Sequence, residues 1–143
     1  MGNRPQLILM LAGVYCSLGA TYETTNFEVH APDARIARQV GRVAEKCRKE
    51  IALKWLGRKM PRWQKRCPLE VSIRLEGSGG ATTFQFDHGE VLSQSMVVEG
   101  TLERILASVV PHEVTHTVLA HYFREPVPRW ADEGAACLSE DHQ

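Results

Sequence analysis

The alternation of apolar and polar residues predicts a strand followed by a long helix in the first part of the chain. Residues 26–30 alternate as a short strand does, with every second side chain apolar. Asp33 can cap the start of a helix, and Gly57 can end one. Between them apolar residues recur at the spacing that places them on one helical face, and these are Ile36, Val40, Val43, Cys47 and Ile51.

Three further strands are predicted in the middle of the chain. Strict alternation over residues 69–75 is typical of a strand with one buried face. Residues 82–86 and 91–98 form two more strands, joined by a turn around His88. The glycine-rich residues 77–80 are expected to form a turn or a mobile flap, because the Lys-Ser or Lys-Thr pair that completes a phosphate-binding P-loop is missing.

Two helices are predicted at the end of the chain. Thr101 is a suitable N-cap for the first of them, and Pro128 follows its expected end near Phe123. The second, short helix is expected to start around Trp130. The predicted fold class is therefore α+β, with a small antiparallel or mixed sheet packed on a long helix and followed by two shorter helices.

Composition and charge narrow the class of protein. The 143 residues are 43% hydrophobic and 24% charged, which fits one globular domain and excludes a disordered or fibrous chain. The formal net charge is zero, so no long-range field favours nucleic acid or an anionic membrane. Basic residues cluster at positions 58–66, but Pro61 and Trp63 among them favour a solvated loop over a phosphate-binding track.

The amino terminus has the pattern of a secretory signal. Arg4 precedes an almost wholly apolar run over residues 7–18, and the small residues Gly19 and Ala20 follow. The run is shorter than the ~20 residues of a comfortable membrane span, which favours a cleaved signal peptide over an anchor. We therefore predict a signal peptide over residues 1–20, a mature domain without a stable membrane span, and an exported location, either periplasmic or secreted.

Removal of the signal leaves Cys47, Cys67 and Cys137 in a compartment that tolerates disulfides. Cys47 and Cys67 are the favoured pair, but Cys47 also fits the long helix as a plain buried thiol, and both interpretations stay open. A cysteine zinc knuckle is disfavoured because no Cys-x-x-Cys pair is present.

The segment His-Glu-Val-Thr-His at positions 112–116 is the strongest chemical signal in the chain. Four helical residues turn through about 400°, so His112 and His116 lie one above the other and can share a metal ion, with Glu113 beside it. The apolar stripe that ends at Val109 continues onto both histidines. Burying these groups without partners would be unfavourable by several kcal/mol, and a cation removes that penalty. Pro111 lacks an N–H and is expected to bend or loosen the helix.

The third ligand decides the class of metal site. Three protein ligands and one open position are typical of a catalytic zinc site. His121 lies about 140° around the helix from His116 and points away, and Leu119 and Tyr122 stand where a metzincin needs glycine and histidine. The sequence offers Glu133 or Asp132 instead, on a helix that can fold back against the first.

Two motifs together resemble the gluzincin branch of zinc metallopeptidases, specifically the peptidase MA-like domains of exported bacterial proteins. They are HExxH at positions 112–116 and PxWxxEGxA at positions 128–136. The resemblance implies a zincin-like fold, Zn²⁺ as the cofactor, and Glu133 rather than Asp132 as the third ligand. It also implies an edge strand that binds the substrate backbone, for which residues 91–98 are expected from their order in the chain.

The resemblance implies a zinc-dependent metallopeptidase acting on peptide or protein substrates. In that function His112, His116 and Glu133 bind the metal, and Glu113 is the general base towards a metal-activated water. The domain covers residues 21–143. The chain ends ten residues after Glu133, where members of this group usually continue with further helices, so a domain incomplete at its carboxyl end is also expected. The alternatives are a catalytically inactive, zinc-stabilised binding module or a truncated peptidase domain and, ranked below them, a hydrolase of non-peptide substrates.

Overall fold

The computed structural model describes residues 19–140. Of the predicted signal peptide, residues 1–20, all but Gly19 and Ala20 lie outside the described residues. Ala20 begins strand β1 (Ala20–Glu23), which pairs antiparallel with β2 (Phe27–Ala31). The sequence pattern predicted β2, but it did not predict β1. Within residues 19–140 no helix combines the length and the apolar character needed to cross a bilayer.

Five strands form one mixed sheet in the order β1-β2-β3-β5-β4. The remaining strands are β3 (Cys67–Ile73), β4 (Gly79–Asp87) and β5 (Glu90–Gly100). Strand β3 runs parallel to both β2 and β5, whereas β1 and β4 run antiparallel to their neighbours at the two edges. The α+β class with a mixed sheet is therefore confirmed.

The prediction that residues 91–98 form the edge strand is wrong in part: residues 91–95 have β4 as their one strand partner among residues 19–140, but from Met96 onward β5 is paired on both sides. Strand β5 lies between β3 and β4, and Met96 pairs with Leu69 on one side and Thr82 on the other. The edge strand is β4, which precedes β5 in the chain. The prediction of a turn or flap for the glycine-rich segment is also wrong in part, because Gly79 and Gly80 belong to β4 and pair with β5.

Helix α1 (Ala34–Leu56) begins and ends at the predicted residues. The carboxylate of Asp33 accepts a hydrogen bond from the backbone N–H of Ile36 at 2.8 Å, and Gly57 has a left-handed conformation with φ of 66°. The apolar face of α1 packs against β1 and β2 and against the helix that carries the histidines. Buried and exposed side chains alternate along β3, so the face of the sheet that points away from α1 is exposed.

The three cysteines within residues 19–140 are free thiols, so the favoured pair is not formed. Burial raises the pKa of Cys47 to about 11 and the pKa of Cys67 to about 12. Both residues are therefore inert apolar side chains rather than reactive ones. Cys137 is exposed.

The histidine-bearing helical region has three parts. A single turn, α2 (Leu102–Arg104), is capped by Thr101 and leads into a π-helix (Ile105–Val109), which continues as α3 (Val110–Phe123). The π-helix ends at Val109, two residues before Pro111, where a regular helix would require a backbone N–H that proline lacks. This widened turn is the loosening that the sequence predicted. Arg124 ends α3 in a left-handed conformation, and the short helix α4 (Arg129–Cys137) packs back onto α3.

The loop between α1 and β3 carries one buried aromatic side chain. Trp63 is 7% exposed and contacts Phe27 in an edge-on arrangement, with ring centroids 5.2 Å apart. Its backbone N–H donates to the side chain of Asn26, which is itself buried. The basic loop is exposed as predicted, but Trp63 fixes it to the core.

Candidate metal centre

Helix α3 places the two imidazoles on one side, a single turn apart. The ring centroids of His112 and His116 are 5.0 Å apart. His116 is buried, and the side chain of His112 is 20% exposed. The helical spacing of the motif therefore produces the paired arrangement that the sequence predicted.

Glu133 approaches this pair from α4. Its Oε2 lies 3.5 Å from Nε2 of His112, and one ligand atom from each of His112, His116 and Glu133 lies within 4.8 Å of the others. Ligand atoms about 2.0–2.1 Å from one tetrahedral zinc ion are roughly 3.3 Å apart. The three side chains fit a single ion after a small contraction. Nothing in the geometry specifies zinc over another divalent metal.

Asp132 contacts the second histidine but is not part of this ligand group. Its Oδ1 lies 2.9 Å from Nδ1 of His116, at ion-pair distance but without the alignment of a good hydrogen bond. Burial alone lowers the pKa of His116, but the carboxylates of Asp132, Glu113 and Glu133 outweigh it and raise that pKa overall. Asp132 is therefore suited to orient the ring rather than to bind the metal.

Glu140 holds the first histidine from the side opposite Glu133. Its Oε1 lies 2.7 Å from Nδ1 of His112, and its Oε2 accepts a hydrogen bond at 2.7 Å from the hydroxyl of Ser108 in the π-helix. A carboxylate on the second nitrogen of a metal-binding imidazole fixes the tautomer and orientation of the ring. Nε2 of His112 is thereby directed at Glu133.

A second group of possible ligands shares His112. One ligand atom from each of His112, Cys137 and Glu140 also lies within 4.8 Å of the others. Because Nδ1 of His112 already contacts Glu140, this group competes with the orienting contact rather than adding to it. The group with His116 leaves that contact intact.

Glu113 is buried between α3 and the edge strand, with 4% of its surface exposed. The hydroxyl of Thr82 donates to its Oε2 at 2.6 Å. A Cβ atom at Gly80 would lie 2.6 Å from its Oε1, so only glycine leaves room for the carboxylate. Strand β4 therefore holds the side chain that the sequence predicted as the general base.

Four carboxylates lie around the two imidazoles, and their charges add up. They belong to Glu113, Asp132, Glu133 and Glu140. Such a concentration of negative charge at a partly buried site is unfavourable unless a positive charge offsets it. A divalent cation between the imidazoles would supply that charge. The charge distribution therefore agrees with the donor geometry.

The sequence did not predict the roles of Thr82, Gly80 or Glu140. No local signal marks Thr82, since a threonine in a strand is ordinary. Gly80 could have been noticed as a glycine next to a strand, where another group often approaches closely. Glu140 could have been noticed as a carboxylate shortly after the end of α4, the helix that carries Glu133. His121 points away from the site, as expected, and lies against Trp63 and Gln94.

Comparisons of the chain with models of known protein families, with curated protein sequences and with solved structures found no match.

Proposed function

We propose that the protein is a zinc-dependent peptidase of the gluzincin type, with a zincin-like fold and an exported location. His112, His116 and Glu133 would bind the ion, and Glu113 would be the general base. The observation that carries this proposal is the 3.5 Å separation between Nε2 of His112 and Oε2 of Glu133. It supports the ligand set because the two residues come from different helices and meet at the separation that a shared ion requires.

The exposure of the ligands supports a catalytic rather than a structural ion. The side chain of Glu133 is 49% exposed, so the ligand group opens to solvent on that side. Structural zinc sites have four protein ligands and are closed, whereas catalytic sites keep one position open. When bound, zinc supplies Lewis-acid chemistry and lowers the pKa of a coordinated water to about 7.

The contacts of Glu113 assign a separate task to each of its oxygens. Oε2 accepts the hydrogen bond from Thr82, and Oε1 forms no hydrogen bond with another described residue. Oε1 is therefore the atom available to accept a proton from water and to pass it to the leaving amine. Thr82 would hold the carboxylate in place during both transfers.

Strand β4 supports a peptide as the substrate class. Its pairing with β5 leaves its other edge without a partner strand among residues 19–140. Thr82 of this strand contacts Glu113, so a peptide that paired with the free edge would pass beside the base. The resemblance to gluzincins implies the same use of an edge strand, here β4 instead of residues 91–98.

The burial of Glu113 favours a second candidate function, an inactive zinc-stabilised binding module. A base that is 4% exposed must become accessible to water before it can act. In a binding module the same carboxylate would only hold α3 against β4.

One experiment separates the two candidates. The purified protein is loaded with zinc, its metal content is measured by elemental analysis, and cleavage of a denatured protein is followed with and without a chelator. The peptidase proposal predicts cleavage that the chelator abolishes, and an E113Q variant that retains zinc but does not cleave. Stoichiometric zinc without cleavage would favour the binding module, and wild-type cleavage by E113Q would refute the role of Glu113.

A further inference from the structure

A basic groove lies away from the metal centre, between the loop that follows α1 and the first half of β5. It has a volume of about 490 Å³. We use the name basic groove for this cavity, whose walls include Arg62, Trp63, Lys65, Arg66, His121 and Arg124.

Three basic side chains of the groove form no ion pair with another residue in the described part of the chain. Arg66 is paired with Glu23 at 3.3 Å, but Arg62, Lys65 and Arg124 form no ion pair with another residue in the range 19–140. Glu90 is the one acidic residue among the described residues that line the groove. The groove therefore carries a local positive charge on a chain whose net charge is zero.

Arg48 lies behind the wall and adds a buried positive charge. Trp63 lines the groove, and the guanidinium of Arg48 stacks on its indole with 4.5 Å between the guanidinium carbon and the ring centroid. Both side chains are more than nine-tenths buried. Nε1 of Trp63 and Nε of Arg48 have no hydrogen-bond partner among the described residues. Burial and the charge of Arg48 lower the pKa of His121 to about 4, so the imidazole beside them is neutral at neutral pH.

One wall of the basic groove is an open strand edge. Residues 90–94 of β5 line it. Strand β3 pairs with β5 only from Met96 to Gly100, so the edge of β5 that faces β3 has no strand partner over residues 90–95 within the described part of the chain. Six residues of strand extend about 20 Å and present unpaired backbone donors and acceptors along that length.

We propose that the basic groove binds an extended, acidic segment of a polypeptide, which adds to the open edge of β5. Backbone hydrogen bonds to residues 90–95 supply affinity for an extended chain, and Arg62, Lys65 and Arg124 select for carboxylate side chains. Charge complementarity specifies an acidic peptide, and the strand edge specifies an extended conformation. This inference does not depend on catalysis at the metal centre.

Binding is measured by fluorescence anisotropy with a labelled octapeptide of alternating Glu and Thr, using the full chain. A peptide of alternating Gln and Thr is the matched neutral probe. The Glu peptide is expected to bind at least about tenfold more tightly than the Gln peptide, and more weakly as salt is raised. Equal affinity for the two peptides would overturn the proposal, and so would tighter binding of a single-stranded oligonucleotide of the same charge.

Two double variants with the same change in net charge test the location. R62Q/K65Q alters the groove, whereas R38Q/R42Q alters exposed positions on α1. The groove variant is expected to lose at least about tenfold in affinity for the Glu peptide, and the α1 variant less than about twofold. Equal losses would show attraction to overall charge and would overturn the site.

Hydrogen exchange tests the strand pairing without any substitution. Backbone amides within residues 90–95 that point to the open edge, and so do not bond to β4, are expected to become protected when the Glu peptide binds and to remain unprotected with inorganic phosphate. Peptide binding without this protection would overturn the pairing with β5. Equal protection by phosphate alone would show a small-anion site and would overturn the peptide as its occupant.

Discussion

Nε2 of His112 and Oε2 of Glu133 lie 3.5 Å apart, although the two residues belong to different helices. Their approach depends on the return of α4 against α3 after the left-handed residue Arg124. Any change that undocks α4 would therefore separate the ligands without altering them.

Replacement of Glu140 by glutamine is expected to weaken zinc binding by about 10- to 100-fold, because the charged partner of Nδ1 of His112 is lost. S108A, which removes the hydroxyl that holds Glu140, should have a smaller effect in the same direction. Competition with a metal-sensitive dye gives both affinities. E76Q, at an exposed position, is the control with the same change of charge. If E140Q and E76Q bind zinc equally, Glu140 does not orient His112.

A methyl group at position 80 is expected to displace the base. In G80A the new Cβ would lie 2.6 Å from Oε1 of Glu113, so the carboxylate must move. We expect cleavage to fall roughly 10- to 100-fold while zinc content stays unchanged. G79A is the matched control on the same strand, because a Cβ at Gly79 meets no atom within 4 Å. Similar rates for the two variants would contradict the position of Glu113.

Acid is expected to destabilise the protein through His121. Burial and Arg48 lower its pKa in the folded state from 6.5 to about 4, so the unfolded chain binds the proton more readily between those values. The stabilisation is complete above pH 6.5 and is lost as the pH falls to about 4. Its size is about 1–2 kcal/mol after allowance for solvent screening.

Urea unfolding of the wild type and of H121Q at pH 7, 5.5 and 4 measures this contribution. The free energy of unfolding of the wild type should fall more steeply with decreasing pH than that of the variant, and parallel profiles would show that His121 is not responsible.

Alkylation distinguishes the two groups of possible metal ligands. Iodoacetamide is expected to label exposed Cys137 in the native protein, and Cys47 and Cys67 only after unfolding, because burial raises the pKa of both thiols. Site-resolved mass spectrometry follows each cysteine. One equivalent of zinc should leave the labelling of Cys137 unchanged, since the ion is expected at His116 and Glu133. Protection of Cys137 would instead indicate the group that contains Glu140.

The features that sequence predicted well are local ones. The bounds of α1 follow from its apolar spacing and from caps at Asp33 and Gly57, and the imidazole pair follows from the helical period. The strand of residues 69–75 shows the limit of such patterns. Its alternation continues to Leu75, but β3 ends at Ile73, where the pairing partner Gly100 ends β5, and Leu75 is 93% exposed.

Contacts between residues distant in sequence could not be predicted. Glu140 is separated from His112 by 28 positions, and Thr82 from Glu113 by 31, so no periodicity connects them. The order of the strands could not be predicted either. The alternation of apolar and polar residues in a hairpin is the same whichever of its two strands lies at the edge of the sheet. Trp63 lies in a basic loop, and its burial depends on contacts with Phe27, which belongs to strand β2.

The most direct test of the metal centre is a zinc titration of the wild type and of E133Q and E113Q, in competition with a chelator of known affinity. The ligand set predicts one tightly bound equivalent for the wild type, an affinity at least about tenfold lower for E133Q, and an affinity close to wild type for E113Q. Zinc bound by E133Q as tightly as by the wild type would contradict the proposal that His112, His116 and Glu133 share one ion.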